Sequence, residues 1–170
     1  MPTVRQQQTS SKRPLTAERL VAGIVLTYER PGLLQATVAS LQASSQLPIT
    51  VYDDGSTSTE KLAELDFVEN SGVEVRREPH RGFIRTWVKI FQDLRERGYN
   101  SADGVVLLED DLLFGTGWDE TLLLMAGGVA DLGLNPGAMT CFRCHESPQS
   151  KVWNLRGVDA YQSIQHGFQL

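Results

Sequence analysis

Short apolar runs alternate along this chain with stretches of helical periodicity. Val21-Ala22-Gly23-Ile24-Val25-Leu26 is continuous and apolar, the pattern of a parallel strand covered on both faces. Pro31 then suits the first turn of a helix, and Leu34, Val38 and Leu41 recur at spacings of four and three to give that helix one apolar stripe. Ile49-Thr50-Val51-Tyr52 predicts a second strand, and Thr57 with Glu60 three places on predicts a capping box opening a second helix. Val73-Glu74-Val75 reads as a third strand. In the third helix Phe83, Ile84, Trp87, Val88, Phe91 and Leu94 share a face that the pattern assigns to the core, and Gly98 ends it. Gly104-Val105-Val106-Leu107-Leu108 predicts a fourth strand, Trp118 to Met125 a short helix, and Ala138 to Phe142 a fifth strand. Strands alternating with helices imply an α/β fold with a mostly parallel sheet flanked by helices.

Residues 1–17 lack either period and read as a flexible tail, leaving residues 18–170 as a single domain. A chain of 170 residues with 41% hydrophobic content is the size of one ordinary domain. The closing stretch, Tyr161 to Leu170, lacks a helix-ending signal or polar tail, which predicts a chain cut within a larger fold. A net charge of −5 argues against a surface built to grip nucleic acid or anionic membranes non-specifically. With no apolar run long enough to span a bilayer and no secretion signal, the expected location is cytoplasmic. Cys141, Cys144 and His145 spell a haem-attachment pattern, but no export signal supports that reading and no second Cys/His pair completes a zinc site.

In open α/β sheets ligands sit outside the carboxyl ends of the strands, so the residues just after each apolar run matter most. They are Thr27-Tyr28-Glu29-Arg30, Asp53-Asp54-Gly55-Ser56 and Glu109-Asp110-Asp111. Asp-Asp-Gly-Ser has two readings. Asp, Gly and Ser suit any strand-to-helix turn, yet a carboxylate there also accepts from a base N–H or ribose hydroxyl while glycine admits a ligand closely. The Glu-Asp-Asp run is harder to explain structurally, because three successive carboxylates repel unless a cation balances them. In an extended chain Glu109 and Asp111 share a side while Asp110 faces away. A hard ion such as Mg²⁺ or Mn²⁺, held by one or two carboxylates and substrate phosphates, resolves the repulsion.

These three segments, in this order and spacing, resemble the nucleotide-sugar motifs of GT-A glycosyltransferases. The first two are similar to glycosyltransferase family 2, and Glu-Asp-Asp-Leu is similar to the N-acetylglucosaminyltransferase I type. The likeness spans about residues 20 to 125. It implies a GT-A, Rossmann-like fold and metal-dependent transfer of a sugar from a nucleoside diphosphate, UDP foremost, to an acceptor hydroxyl on a glycan, lipid, protein or nucleic acid. By position, Thr27 and Tyr28 match the residues that hold the nucleobase, and Asp54, with Asp53, the one that reads uracil. Asp110 matches the ribose contact. Asp111, with Glu109 beside it, matches the Mn²⁺ or Mg²⁺ ligand, and Arg81 a basic residue near the nucleotide.

The general base of similar enzymes lies well downstream. The carboxylates available for it here are Asp119, Glu120, Glu146 and Asp159, with Glu146 and Asp159 the candidates; a late metal histidine has only His145 and His166 to draw on. Trp118 and Trp153 have two uses open to them, stacking on a sugar or packing. A different class stays open, a non-catalytic nucleotide-sugar-binding module of a larger assembly. A nucleic-acid-modifying transferase is the lesser variant, with Arg5, Lys12, Arg13 and Arg19 as phosphate contacts. A phosphoacceptor receiver needs its acidic pair after the first strand, a sugar nucleotidyltransferase a glycine-rich basic loop, and a dinucleotide fold Gly-x-Gly-x-x-Gly; none is present.

Overall fold

The computed structural model describes residues 20–99, 104–131, 149–155 and 158–163. In chain order the elements are β1 (Leu20–Thr27), α1 (Leu34–Ser44), β2 (Ile49–Asp53), α2 (Thr59–Asn70), β3 (Glu74–Arg77), α3 (Phe83–Glu96), β4 (Gly104–Glu109), α4 (Trp118–Asp131), β5 (Gln149–Leu155) and β6 (Val158–Ser163). Four strands form one parallel sheet in the order β3-β2-β1-β4, and β5 and β6 pair as an antiparallel hairpin. The chain steps outward from β1 to β3 and then returns past β1 to β4. The reversal between β1 and β4 is the topological switch point at which open α/β sheets bind ligands. The protein is thus a Rossmann-like α/β fold.

Right-handed crossovers put helices on opposite faces when the direction of winding reverses. Accordingly Leu34, Val38 and Leu41 of α1 and Leu65 and Val68 of α2 pack with Val25, Val51 and Leu108 on one face. Ile90 and Leu94 of α3 pack with Ala22, Ile24, Leu26 and Tyr52 on the other. Each fully buried leucine or isoleucine contributes about 1.5–3 kcal/mol relative to exposure. None of the described helices is long and apolar enough to cross a membrane.

Several boundaries differ from the sequence pattern for local reasons. Ser58, not Thr57, caps α2, accepting from the Lys61 backbone N–H at 3.3 Å, so the third helical position is a lysine and no capping box forms. Pro31 lies ahead of α1, which starts at Leu34. The third strand begins at Glu74, one residue late, and α4 runs through Ala126-Gly127-Gly128-Val129-Ala130 to Asp131, past the expected end at Met125. The largest correction concerns α3. Phe83, Ile84, Val88 and Phe91 are exposed, and the sheet-facing stripe is Thr86, Ile90, Asp93 and Leu94. The apolar sector is wider than the face the sheet can cover, and the helix is rotated to bring Thr86 and Asp93 to buried partners. The expected fifth strand and the Cys141, Cys144 and His145 cluster lie outside the described residues.

Candidate functional site

The carboxyl ends of β1, β2 and β4 are neighbours, so the three motif segments come together at one edge of the sheet. Two turns are tied first. Glu29 has a positive φ of 56°, and its carboxylate accepts from the Thr57 N–H at 2.6 Å, the Thr57 hydroxyl at 2.9 Å and the Ser58 N–H at 3.2 Å. The Thr57 N–H and hydroxyl foremost push the Glu29 pKa down to about 2. In return the Glu29 N–H donates to the Ser56 hydroxyl at 2.8 Å. The loops after β1 and β2 are therefore one hydrogen-bonded unit.

Within Asp-Asp-Gly-Ser each side chain has a partner inside the protein. Buried Asp53 accepts from the Ser56 N–H at 3.0 Å and from its hydroxyl, closing the turn. Asp54 is also buried, and its carboxylate accepts from the backbone N–H groups of Arg81 at 2.9 Å and Gly82 at 3.0 Å and from the Thr86 hydroxyl. It thus anchors the start of α3, whose capping position, Gly82, has no side chain to do so. His80 Nδ1 lies 3.0 Å from the Asp54 carbonyl oxygen and 3.1 Å from its carboxylate. Gly55 has φ 77°, and a Cβ there would meet the His80 backbone nitrogen at 2.3 Å. The close approach that this glycine permits is made by the chain's own 78–80 segment.

Beside this turn the Tyr28 ring stacks on His80, centroids 4.5 Å apart and planes 21° from parallel. Both side chains are largely exposed and offer a flat aromatic shelf. Arg81 is exposed, and among the described residues its side chain has no ion pair.

Asp110 is fully enclosed between β1, α1 and α2. Its carboxylate takes the Thr27 hydroxyl, Arg30 Nη2 at 2.5 Å and Lys61 Nζ at 3.5 Å, while its carbonyl accepts from the Thr37 hydroxyl at 2.8 Å. Lys61 is itself wholly buried and spends its three donors on Asp110, the Arg30 carbonyl at 3.1 Å and Glu64 at 2.8 Å. Glu64 in turn accepts from the N–H groups of Gly32 at 3.1 Å and Gln35 at 3.2 Å, supplying α1 with the cap that Leu33 cannot. The repulsion expected within Glu-Asp-Asp is relieved from inside, by Arg30 and Lys61.

Asp111 sits at the rim, 34% exposed, with Arg30 Nη1 2.8 Å from its carboxylate. Partial burial works against the charge on Arg30, yet Asp110 and Asp111 outweigh it and raise its pKa. Glu109 is exposed at the end of β4, so Glu109 and Asp111 lie outward while Asp110 points in. Among the described residues no three His, Cys, Asp or Glu side chains form a metal cage. An exposed carboxylate at Asp111 with Glu109 nearby nevertheless fits an ion such as Mg²⁺ or Mn²⁺ that takes one or two protein carboxylates and completes its shell from phosphates.

Sequence reasoning missed the residues that position this loop. Thr37, Ser40 and Ser44 fall at helical spacing on α1 and form a hydroxyl stripe. Thr37 donates to the Asp110 carbonyl, Ser40 accepts from the Phe114 N–H at 3.1 Å, and Ser44 from Trp118 Nε1 at 3.1 Å. Trp118 is thereby a buried packing residue against Phe114. The stripe's spacing was the available signal. His80 was findable by examining the end of the third strand as well. Lys61 carried no sequence signal, since a lysine in a helix's first turn is normally solvated. Asp159 pairs with Asn154 in the β5–β6 hairpin, and Glu146 lies outside the described residues. No protein-family profile matches the chain, and no curated protein sequence matches it.

Proposed function

We propose that this chain binds a nucleoside diphosphate sugar, UDP-linked foremost, at the switch point between β1 and β4 and transfers the sugar to an acceptor hydroxyl, as a metal-dependent glycosyltransferase of GT-A type. The observation that carries the reading is the convergence of three segments at one sheet edge: the Tyr28–His80 shelf, the turn at Asp53–Ser56 and the Arg30–Asp110–Asp111 group. A flat aromatic shelf takes a base by stacking. A guanidinium beside an exposed carboxylate takes a diphosphate and its ion. When bound, a divalent ion would stabilise the charge growing on the departing diphosphate. Arg30 adds a positive charge at the same place, Lys61 holds the Arg30 backbone and Asp110, and Asp54 holds His80, one half of the shelf, together with the start of α3.

An alternative, a nucleotide-sugar-binding module without turnover, draws on a second observation. Asp53, Asp54 and Asp110 are buried and engaged by protein donors, which leaves none of them free to take a proton from an acceptor. Incubation with UDP-sugars and Mn²⁺ separates the two. Release of UDP, by hydrolysis or transfer, is the expected result; binding of UDP with metal but no turnover of any donor assigns the chain to the binding-module reading.

A further inference from the structure

We infer that Arg30 couples the metal to the nucleotide: in the free protein its guanidinium closes Asp111, and the diphosphate of an incoming nucleotide draws it away. The inference rests on the nucleotide-diphosphate reading above. Arg30 is forked across two carboxylates, with Nη2 on Asp110 and Nη1 on Asp111. The two ends are not equivalent. Asp110 keeps Thr27 and Lys61 if Arg30 leaves, whereas Arg30 is the one cation that the described residues place on Asp111.

Mobility is equally divided. Lys61 is wholly buried with every donor committed, so it cannot swing; Arg30 is 53% exposed and can rotate outward about its side chain while its backbone stays fixed by Lys61. A guanidinium fork fits phosphate oxygens as well as it fits carboxylates. Without a diphosphate, an ion reaching Asp111 has to compete with Arg30. With one, Arg30 exchanges a carboxylate for phosphate oxygens and leaves Asp111 open. Metal and nucleotide therefore strengthen one another's binding, and by linkage the factor is the same in both directions.

The test is Mn²⁺ binding followed by the electron paramagnetic resonance of free Mn²⁺, with and without UDP, after subtraction of the Mn²⁺–UDP complex formed without protein. In the unmutated protein UDP is expected to tighten Mn²⁺ binding by roughly tenfold or more. Arg30→Gln is expected to bind Mn²⁺ alone roughly tenfold tighter than the unmutated protein, with the UDP effect smaller by about the same factor and the part supplied by phosphate oxygens on the ion retained. Asp111→Asn added to Arg30→Gln is expected to remove that gain. Arg30→Lys keeps a charge but cannot fork across both carboxylates, so it moves in the same direction and serves if Arg30→Gln fails to fold. Mn²⁺ affinity in the absence of UDP that is unchanged or weaker in both variants overturns the coupling. A UDP effect on Mn²⁺ binding as large in them as in the unmutated protein overturns the coupling alone, while absence of Mn²⁺ binding in every protein, with or without UDP, overturns the nucleotide reading and this inference together.

Discussion

Adjacent carboxylates in this protein do different work, and burial divides them. Asp110 sits with a buried lysine and Asp111 at the rim. Asp110→Asn leaves Lys61 without part of its counter-charge, for which a loss of about 3 kcal/mol in denaturant unfolding is expected. Asp111→Asn frees only a half-exposed arginine and is expected to change stability by less than about 1 kcal/mol, which the same titration reads. Glu29 adds a pH dependence. Its carboxyl is held down to about 2 from an ordinary value of 4.5, so its contribution is present above about 4.5 and is lost as pH falls through about 2. Thermal melts across that window are expected to fall more steeply for the unmutated protein than for Glu29→Gln. Equal slopes would remove Glu29 from the link between the two turns. At Gly55 both the positive φ and the His80 backbone exclude a side chain, so Gly55→Ala is expected to cost more than about 1 kcal/mol by the same unfolding measurement.

At the scale of the element, α3 shows how far periodicity reaches. Its six apolar positions correctly mark a helix, but they do not say which part of a broad apolar arc meets the sheet. Thr86 and Asp93 decide that, through Asp54 and through Tyr52 and Arg76, and these are long-range partners that no local pattern contains. Ile90→Ala is therefore expected to cost about 2–4 kcal/mol, and Phe91→Ala, at a position 48% exposed, less than about 1 kcal/mol, in paired chemical denaturation. A reversed order would restore the assignment of Phe91 to the core. For β1 and β2 the apolar runs made strand, burial and the chemically informative end legible together; for β4 they marked the strand and its end, but Leu107 is exposed and only Leu108 is buried. The start of α2 was misread by one residue because Thr57 and Ser58 both suit a cap, and it is Glu29, a residue 28 positions earlier, that takes Thr57. Thr37, Ser40 and Ser44 were legible only as a helical spacing, because their partners lie more than 70 residues away.

For the whole molecule, strand order is what joins these parts. The three motifs could be read singly in the sequence, but their convergence required β1 to lie between β2 and β4, which right-handed crossovers with one reversal produce. The acidic motifs were legible as carboxylates gathered at strand ends; the internal cations that neutralise them were not, since Arg30 and Lys61 are distant in sequence from Asp110. Whether this edge holds a nucleoside diphosphate with a divalent ion at Asp111 is decided by calorimetric titration of UDP into the chain with and without Mn²⁺, repeated for Asp111→Ala. The predicted result is binding that requires Mn²⁺ and disappears in Asp111→Ala while its far-ultraviolet circular dichroism is retained. UDP affinity that is the same with and without Mn²⁺, and the same in Asp111→Ala, would contradict it.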